Sequence, residues 1–269
     1  MKIIDKPIDR GRLAVVRGGG DLATGVVYRL WRAGFSVLCL ECERPLVVRR
    51  PVSVAQAVFD GVHVIEGMRS VRIDAAREFK GGDDVAVLVD EDAACLDTLG
   101  PDLLVDAIMA KRNTGTHRGM APLVLAIGPG FRAPDEVHGV VETKRGHFLG
   151  RLITEGAAIP NTGIPGMEMG YTVQRLLRAP GDGCVQPVRE IGDSVRPGDL
   201  IATVGELPVR ARIPGVLRGL IHPSVPVAKG TKIGDVDPRN VRDHCFTITD
   251  KGLAIAGGIL EAITSIDMP

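Results

Sequence analysis

Apolar and polar positions follow two rhythms within the first fifty residues. Leu13 to Val16 is an unbroken apolar run, the pattern of a strand covered on both faces. Leu22, Val26, Val27 and Leu30 then recur at helical spacing, with Arg29 and Arg32 pointing elsewhere. Gly34 stands where a helix end favours a left-handed residue. A second apolar run closes on Glu41, so 13–41 predicts a strand, a helix and a second strand. Short Val, Leu and Ile runs at Val62–Ile65, Val85–Val89, Leu103–Asp106, Leu123–Ile127 and Val137–Glu142 predict further strands of a doubly covered sheet. Helices are expected over 53–59, with Ser53 as N-cap, and over 90–100.

From Gly181 the rhythm changes. Short β-branched runs alternate with Gly-Asp, Pro-Gly and Lys-Gly turns, with no helical period. Ile191, Val195, Gly198 and Leu200 are faintly echoed by Ile221, Val225, Gly230 and Ile233, around a turn at Pro214–Val216. Two such halves resemble the lipoyl/biotinyl barrel-sandwich module, although the turn at Gly205–Pro208 has no carrier lysine. The expected fold class is therefore α/β. A Rossmann-like, mostly parallel sheet domain is expected over 1–178 and an all-β barrel-sandwich over 179–236. A C-terminal helical segment over 237–269 packs back on the body through Leu253, Ile255, Ile259 and Ile263.

Composition narrows the function classes. The chain has 269 residues, 45% hydrophobic and 25% charged, which is ordinary for a globular protein. Its formal net charge is zero, which gives no electrostatic footprint for nucleic acid. No apolar run is long enough for a membrane span, and residues 1–12 lack an apolar leader core, so a cytoplasmic protein is expected. Five cysteines at irregular spacing argue against a disulfide framework. Cys39 reads as core. Cys42 falls at the carboxyl end of its strand, where a thiolate would meet a metal or a sulfur-bearing ligand. No spacing of histidines and cysteines predicts a metal site.

The candidate chemistry starts at the glycine cluster. Gly18, Gly20 and Ala23 fit G-x-G-x-x-A, the turn that brings backbone amides and a helix N-terminus to a phosphate. Glu41 stands where an acid would accept from ribose hydroxyls. Asp21 completes the turn, and Arg49, Arg50 and Lys111 are expected to steady anionic groups. Arg145 and His147 follow another apolar strand and complete the anion-binding set. These residues fit a phosphorylated, polyanionic ligand, such as a dinucleotide of the NAD or NADP kind. No catalytic residue is identified: the Walker lysine, the G-x-S-x-G elbow and H-E-x-x-H are all missing.

Several segments together resemble one family. RGGGDLATG, ERPLVVRR, VDAIMAKRNTGT, MAPLVLAIGPGF, ETKRGHFLGR, PNTGIPG, VLRGLI and KIGDVDPR, in that order, resemble the YqeB-type selenium-dependent molybdenum hydroxylase accessory proteins. A more distant similarity links the glycine-turn region to xanthine dehydrogenase accessory factors. The resemblance implies a maturation role, with molybdenum cofactor (a phosphorylated pterin) as ligand and a molybdenum hydroxylase as client. A homo-oligomer is expected as the working form. The residues alone leave two alternatives. One is an NAD(P)-dependent oxidoreductase with His147 or Lys111 as acid or base. The other is a non-catalytic docking protein for a hydroxylase.

Overall fold

The computed structural model describes residues 11–163 and 166–266. Residues 1–10, which hold most of the stretch read for a leader, and Pro165 of the PNTGIPG segment lie outside the described residues. The chain opens with β1 (Leu13–Arg17), α1 (Asp21–Arg32) and β2 (Ser36–Glu41). A one-turn helix α2 (Ala57–Asp60) leads to a hairpin of β3 (Val62–Ile65) and β4 (Met68–Ile73). Next come β5 (Val85–Val89), the one-turn α3 (Leu96–Leu99), β6 (Leu103–Asp106) and β7 (Leu123–Ile127). The short strands β8 (Arg132–Ala133), β9 (Gly139–Val141), β10 (Leu152–Ile153) and β11 (Gly156–Ala157) follow. The rest is antiparallel: β12 (Leu176–Arg178), β13 (Gly183–Pro187), β14 (Ser194–Val195), β15 (Leu200–Val204), β16 (Leu207–Arg210), β17 (Gly215–Leu220), β18 (Pro226–Val227) and β19 (Lys232–Asp237). Helix α4 (Asp250–Ser265) is the last element described.

Nine strands form one sheet in the order β10-β9-β7-β6-β1-β2-β5-β4-β3. Its centre is parallel, but β3 runs antiparallel to β4 and β10 antiparallel to β9. On one face Val16, Val105 and Leu125 pack with Val26, Leu30, Ile255 and Ile259 of α1 and α4. On the other, Val15, Leu38, Leu104 and Val124 meet Leu96, Phe131 and Val137. The central strands β1, β2, β5, β6 and β7 therefore bury both sets of side chains, which is why their apolar runs do not alternate.

This corrects the expected fold class. A Rossmann-like repeat returns each parallel strand through a covering helix. Among the described residues only α1 and α4 exceed a single turn, and the sheet is mixed at both edges. Pro45 and Pro51 interrupt the connection from β2, and Gly128, Pro129 and Gly130 interrupt the one from β7. The expected helix over 53–59 is a 3-10 turn (Val54–Gln56) running into α2, with the Ser53 hydroxyl donating to Arg49 O rather than capping. Of 90–100, only Leu96–Leu99 is helical.

The separate barrel-sandwich is corrected as well. Two four-stranded antiparallel sheets, β12-β19-β17-β14 and β16-β15-β13-β18, are stitched to the large sheet rather than standing apart. β17 is buried along its whole length because the segment after β2 covers its outer face. A Cβ on Gly219 would lie 2.7 Å from the Val48 carbonyl oxygen, and Arg50 Nε donates to Leu220 O at 2.7 Å. Phe59 stacks on His222 with ring centres 4.0 Å apart. The turn-and-strand rhythm was local, whereas the covering of β17 comes from residues about 170 positions earlier.

Candidate functional site

The three glycines between β1 and α1 serve different ends. Gly18 has φ +92°, and a Cβ there would lie 2.9 Å from Ile108 Cα, so both conformation and packing demand glycine. At Gly19 a Cβ would meet Ala55 N at 2.9 Å. Gly20 has φ −66°, and the nearest atom to a built Cβ is Val47 Cγ1 at 3.9 Å. Neither strain nor crowding requires glycine at position 20. Its bare backbone instead borders an open crevice of about 710 Å³, within the range of small-ligand sites.

The crevice lies at the carboxyl ends of β1, β2, β5 and β6. Leu22, Leu46, Val47, Ile108 and Met109 give it an apolar wall. Asp90, Glu91 and Asp92 face it from the end of β5, and Lys232 reaches it from β19. Of the residues expected to bind, Gly18, Gly20, Asp21, Glu41 and Arg49 line it together. Arg50, Lys111, Arg145 and His147 do not. Arg50 is turned to Leu220 O, and burial draws its pKa down. Lys111 is exposed on the loop after β6, with φ +65°. Arg145 pairs with Asp250 at 2.9 Å, and His147 is exposed, edge-on to Phe148.

The carboxylates in the crevice are mostly engaged. Glu41 accepts from the amides of Gly19 at 2.7 Å and Cys42 at 2.9 Å. Burial raises its pKa, and those two amides pull it partly back. Asp21 accepts from Leu22 N at 3.0 Å and pairs with Arg49 Nη1 at 3.3 Å. Asp90 caps its own turn, accepting from Ala94 N and Cys95 N. Burial pushes Asp90 up, but the amide bonds outweigh it and hold its carboxyl below the usual value.

The two arginines of the crevice are engaged too. Arg17, buried at the end of β1, donates to Thr116 Oγ1 at 2.6 Å and Glu91 O at 2.8 Å. Thr116 in turn donates to Asp106 at 2.6 Å. Arg49, also buried, donates to the carbonyls of His244 and Thr247 besides Asp21. Cys42 lines the crevice, but burial and then the neighbouring Glu41 push its pKa up to about 11. It is a thiol at neutral pH, not the expected thiolate. Cys39 is core. Among the described residues, no cluster of histidine, cysteine and carboxylate could hold a metal ion.

Sequence reasoning missed Arg17, the acidic run at 90–92 and Lys232. The run had a signal, since it follows an apolar strand just as Glu41 does; reading 90–100 as one helix hid it. Lys232 had none, because only the tertiary fold brings the start of β19, some 190 residues after Glu41 in the chain, to the crevice.

No protein-family model matches the chain. It is 45% identical over 255 residues to a protein of Escherichia coli (strain K12) described as uncharacterized protein YqeB. The match takes in 94% of this chain and 47% of that protein, so the chain spans about half the length of its curated relative. Among solved structures it is similar to an aspartoacylase family protein from Mesorhizobium loti, with TM-score 0.27 and 13% identity over 84% of this chain and 86% of that one. The product-bound ectoine utilization protein EutE (DoeB) from Ruegeria pomeroyi gives TM-score 0.26 and 15% identity over 84% and 85%. Likenesses this slight carry neither fold nor activity across. No helix among the described residues is long and apolar enough to cross a membrane. By its identity to YqeB along almost its whole length, the chain belongs to the YqeB-type family.

Proposed function

We propose that this chain is an accessory protein in the maturation of selenium-dependent molybdenum hydroxylases and holds a pterin- or nucleotide-type cofactor in the glycine-turn crevice. The observation that carries the reading is Gly20: a glycine that neither strain nor packing requires, with its backbone open to a ligand-sized cavity. The motif resemblance supplies the molybdenum context. In this reading the phosphate end of the cofactor lies over the backbone of Gly20 and Asp21, with Lys232 lining the same crevice, and the ring system lies on Leu22, Val47 and Ile108. Bound there, molybdenum cofactor would supply the metal centre destined for the client enzyme. The chain's own residues bind it, orient it and shield one face from water. His147 and Lys111 stand outside the crevice, so an acid–base role toward a ligand held there gains nothing from their placement.

The test is calorimetric titration of the full chain with molybdenum cofactor, in pterin and nucleotide forms, beside NAD and NADP. Micromolar binding of the molybdenum cofactor alone supports the proposal. Binding of NAD or NADP alone transfers the site to an oxidoreductase. If nothing binds, the crevice reading fails and the role becomes docking to the hydroxylase.

A further inference from the structure

The charge in the crevice is unlike that of a polyphosphate site. Five acids line it (Asp21, Glu41, Asp90, Glu91 and Asp92) against three cations, Arg17, Arg49 and Lys232. Several donors a pyrophosphate would use are already taken by the protein's own oxygens. Glu41 holds the Gly19 amide and Asp21 holds the Leu22 amide, while Arg49 is divided between Asp21 and two carbonyls. Arg17 is held by Thr116 and the Glu91 carbonyl. Among the described residues, no hydrogen bond or ion pair engages the side chains of Lys232, Glu91 or Asp92. One cation is thus available in the crevice that the bare backbone of Gly20 borders, and two carboxylates are available near the end of β5.

We infer that the crevice selects a ligand with a single phosphate and a donor-bearing heterocycle, and discriminates against pyrophosphate-linked ligands. This rests on the crevice being the cofactor site. One phosphate matches Lys232 and the turn at Gly20, whereas each further phosphate places negative charge against Asp21 and Glu41 with no second free cation to offset it. The apolar wall of Leu22, Val47, Ile108 and Met109 suits the face of a flat ring. Glu91 and Asp92 accept from its amine and ring N–H groups. The amide-plus-amine edge common to pterins and guanine offers two parallel donors to one carboxylate. The pterin form of molybdenum cofactor belongs to this ligand class; its dinucleotide forms do not.

The experiment titrates the full chain with guanosine, GMP, GDP and GTP, without divalent cations, at about 0.15 M salt. GMP should bind tightest, with GDP and GTP weaker by about threefold or more at each added phosphate. Affinity rising about tenfold from GMP to GTP overturns the inference. In Asp21→Asn, which removes a charge and releases Arg49, GTP should come within about threefold of GMP; an unchanged ratio also overturns it. If NAD binds tighter than every guanine compound, the inference falls while the crevice stands as a cofactor site. If no compound and no pterin binds, both fall.

Discussion

At the scale of single residues, adjacent glycines separate stability from binding. Gly18→Ala forces a Cβ into the backbone of Ile108 at a positive φ and should cost about 1–3 kcal/mol, read from urea unfolding. Gly20→Val should stay within about 1 kcal/mol of the parent, the scale of a changed helix cap, yet lose ligand binding. Unchanged affinity in that variant would remove Gly20 from the site. Cys42 offers an independent probe. With a pKa of about 11, its alkylation by iodoacetamide should rise about tenfold per pH unit from pH 7 to 10, followed by peptide mass mapping. A plateau near pH 9 would mean an ordinary thiol. Gly18, Gly20 and Asp21 were legible because a turn, a helix start and the strand before them are local. Glu41 was legible in place but not in use: its carboxylate turns back to the Gly19 amide, which no spacing rule reveals.

At the scale of elements, α1 and α4 approach each other closely through glycine. A Cβ on Gly25 would lie 2.6 Å from the carbonyl carbon and oxygen of Gly252, backbone atoms that cannot swing aside. Gly25→Ala should destabilise the protein by about 2 kcal/mol, measured by thermal melting. β19 ends in Asp237, which burial alone would raise; hydrogen bonds from Arg239 and the charges of Arg218 and Arg239 instead bring its pKa from 3.8 to about 2. A carboxyl depressed in the folded state stabilises fully above about pH 4, and that stabilisation is lost as the pH falls through about 2. Asp237→Asn should therefore flatten the acid limb of stability between those values; an identical limb would place the acid sensitivity elsewhere. The strands were readable as elements because burial on both faces writes a continuous apolar run. The helices over 53–59 and 90–100 were over-read, because N-cap and apolar signals carry no information about which chain segment will cover them.

At the scale of the whole molecule, the described residues hold together through contacts that skip most of the chain. Arg49 reaches the carbonyls of His244 and Thr247, Glu66 accepts from Ile248 N, and Arg50 reaches Leu220. The antiparallel sheets should therefore unfold with the nine-stranded sheet in one calorimetric transition; two resolved transitions would contradict the stitched arrangement. Here the sequence was least legible. The turn-rich stretch after Gly181 looked self-sufficient because its strands alternate well. What removes its independence is a cover supplied by residues 43–59, and periodicity is blind to partners so distant.

The stitching also bears on how the molecule is made. The glycine turn and α1 leave the ribosome early, while the last long helix, Asp250–Ser265, is synthesised some two hundred residues later. Until then Val26, Leu30 and the neighbouring strand residues lack the apolar cover that Ile255 and Ile259 supply, and Arg49 lacks its two carbonyls. A nascent chain therefore carries the turn with no finished cavity around it, and its exposed apolar face is the kind that chaperones hold. On the proposed reading, cofactor capture would wait until Asp250–Ser265 has been made.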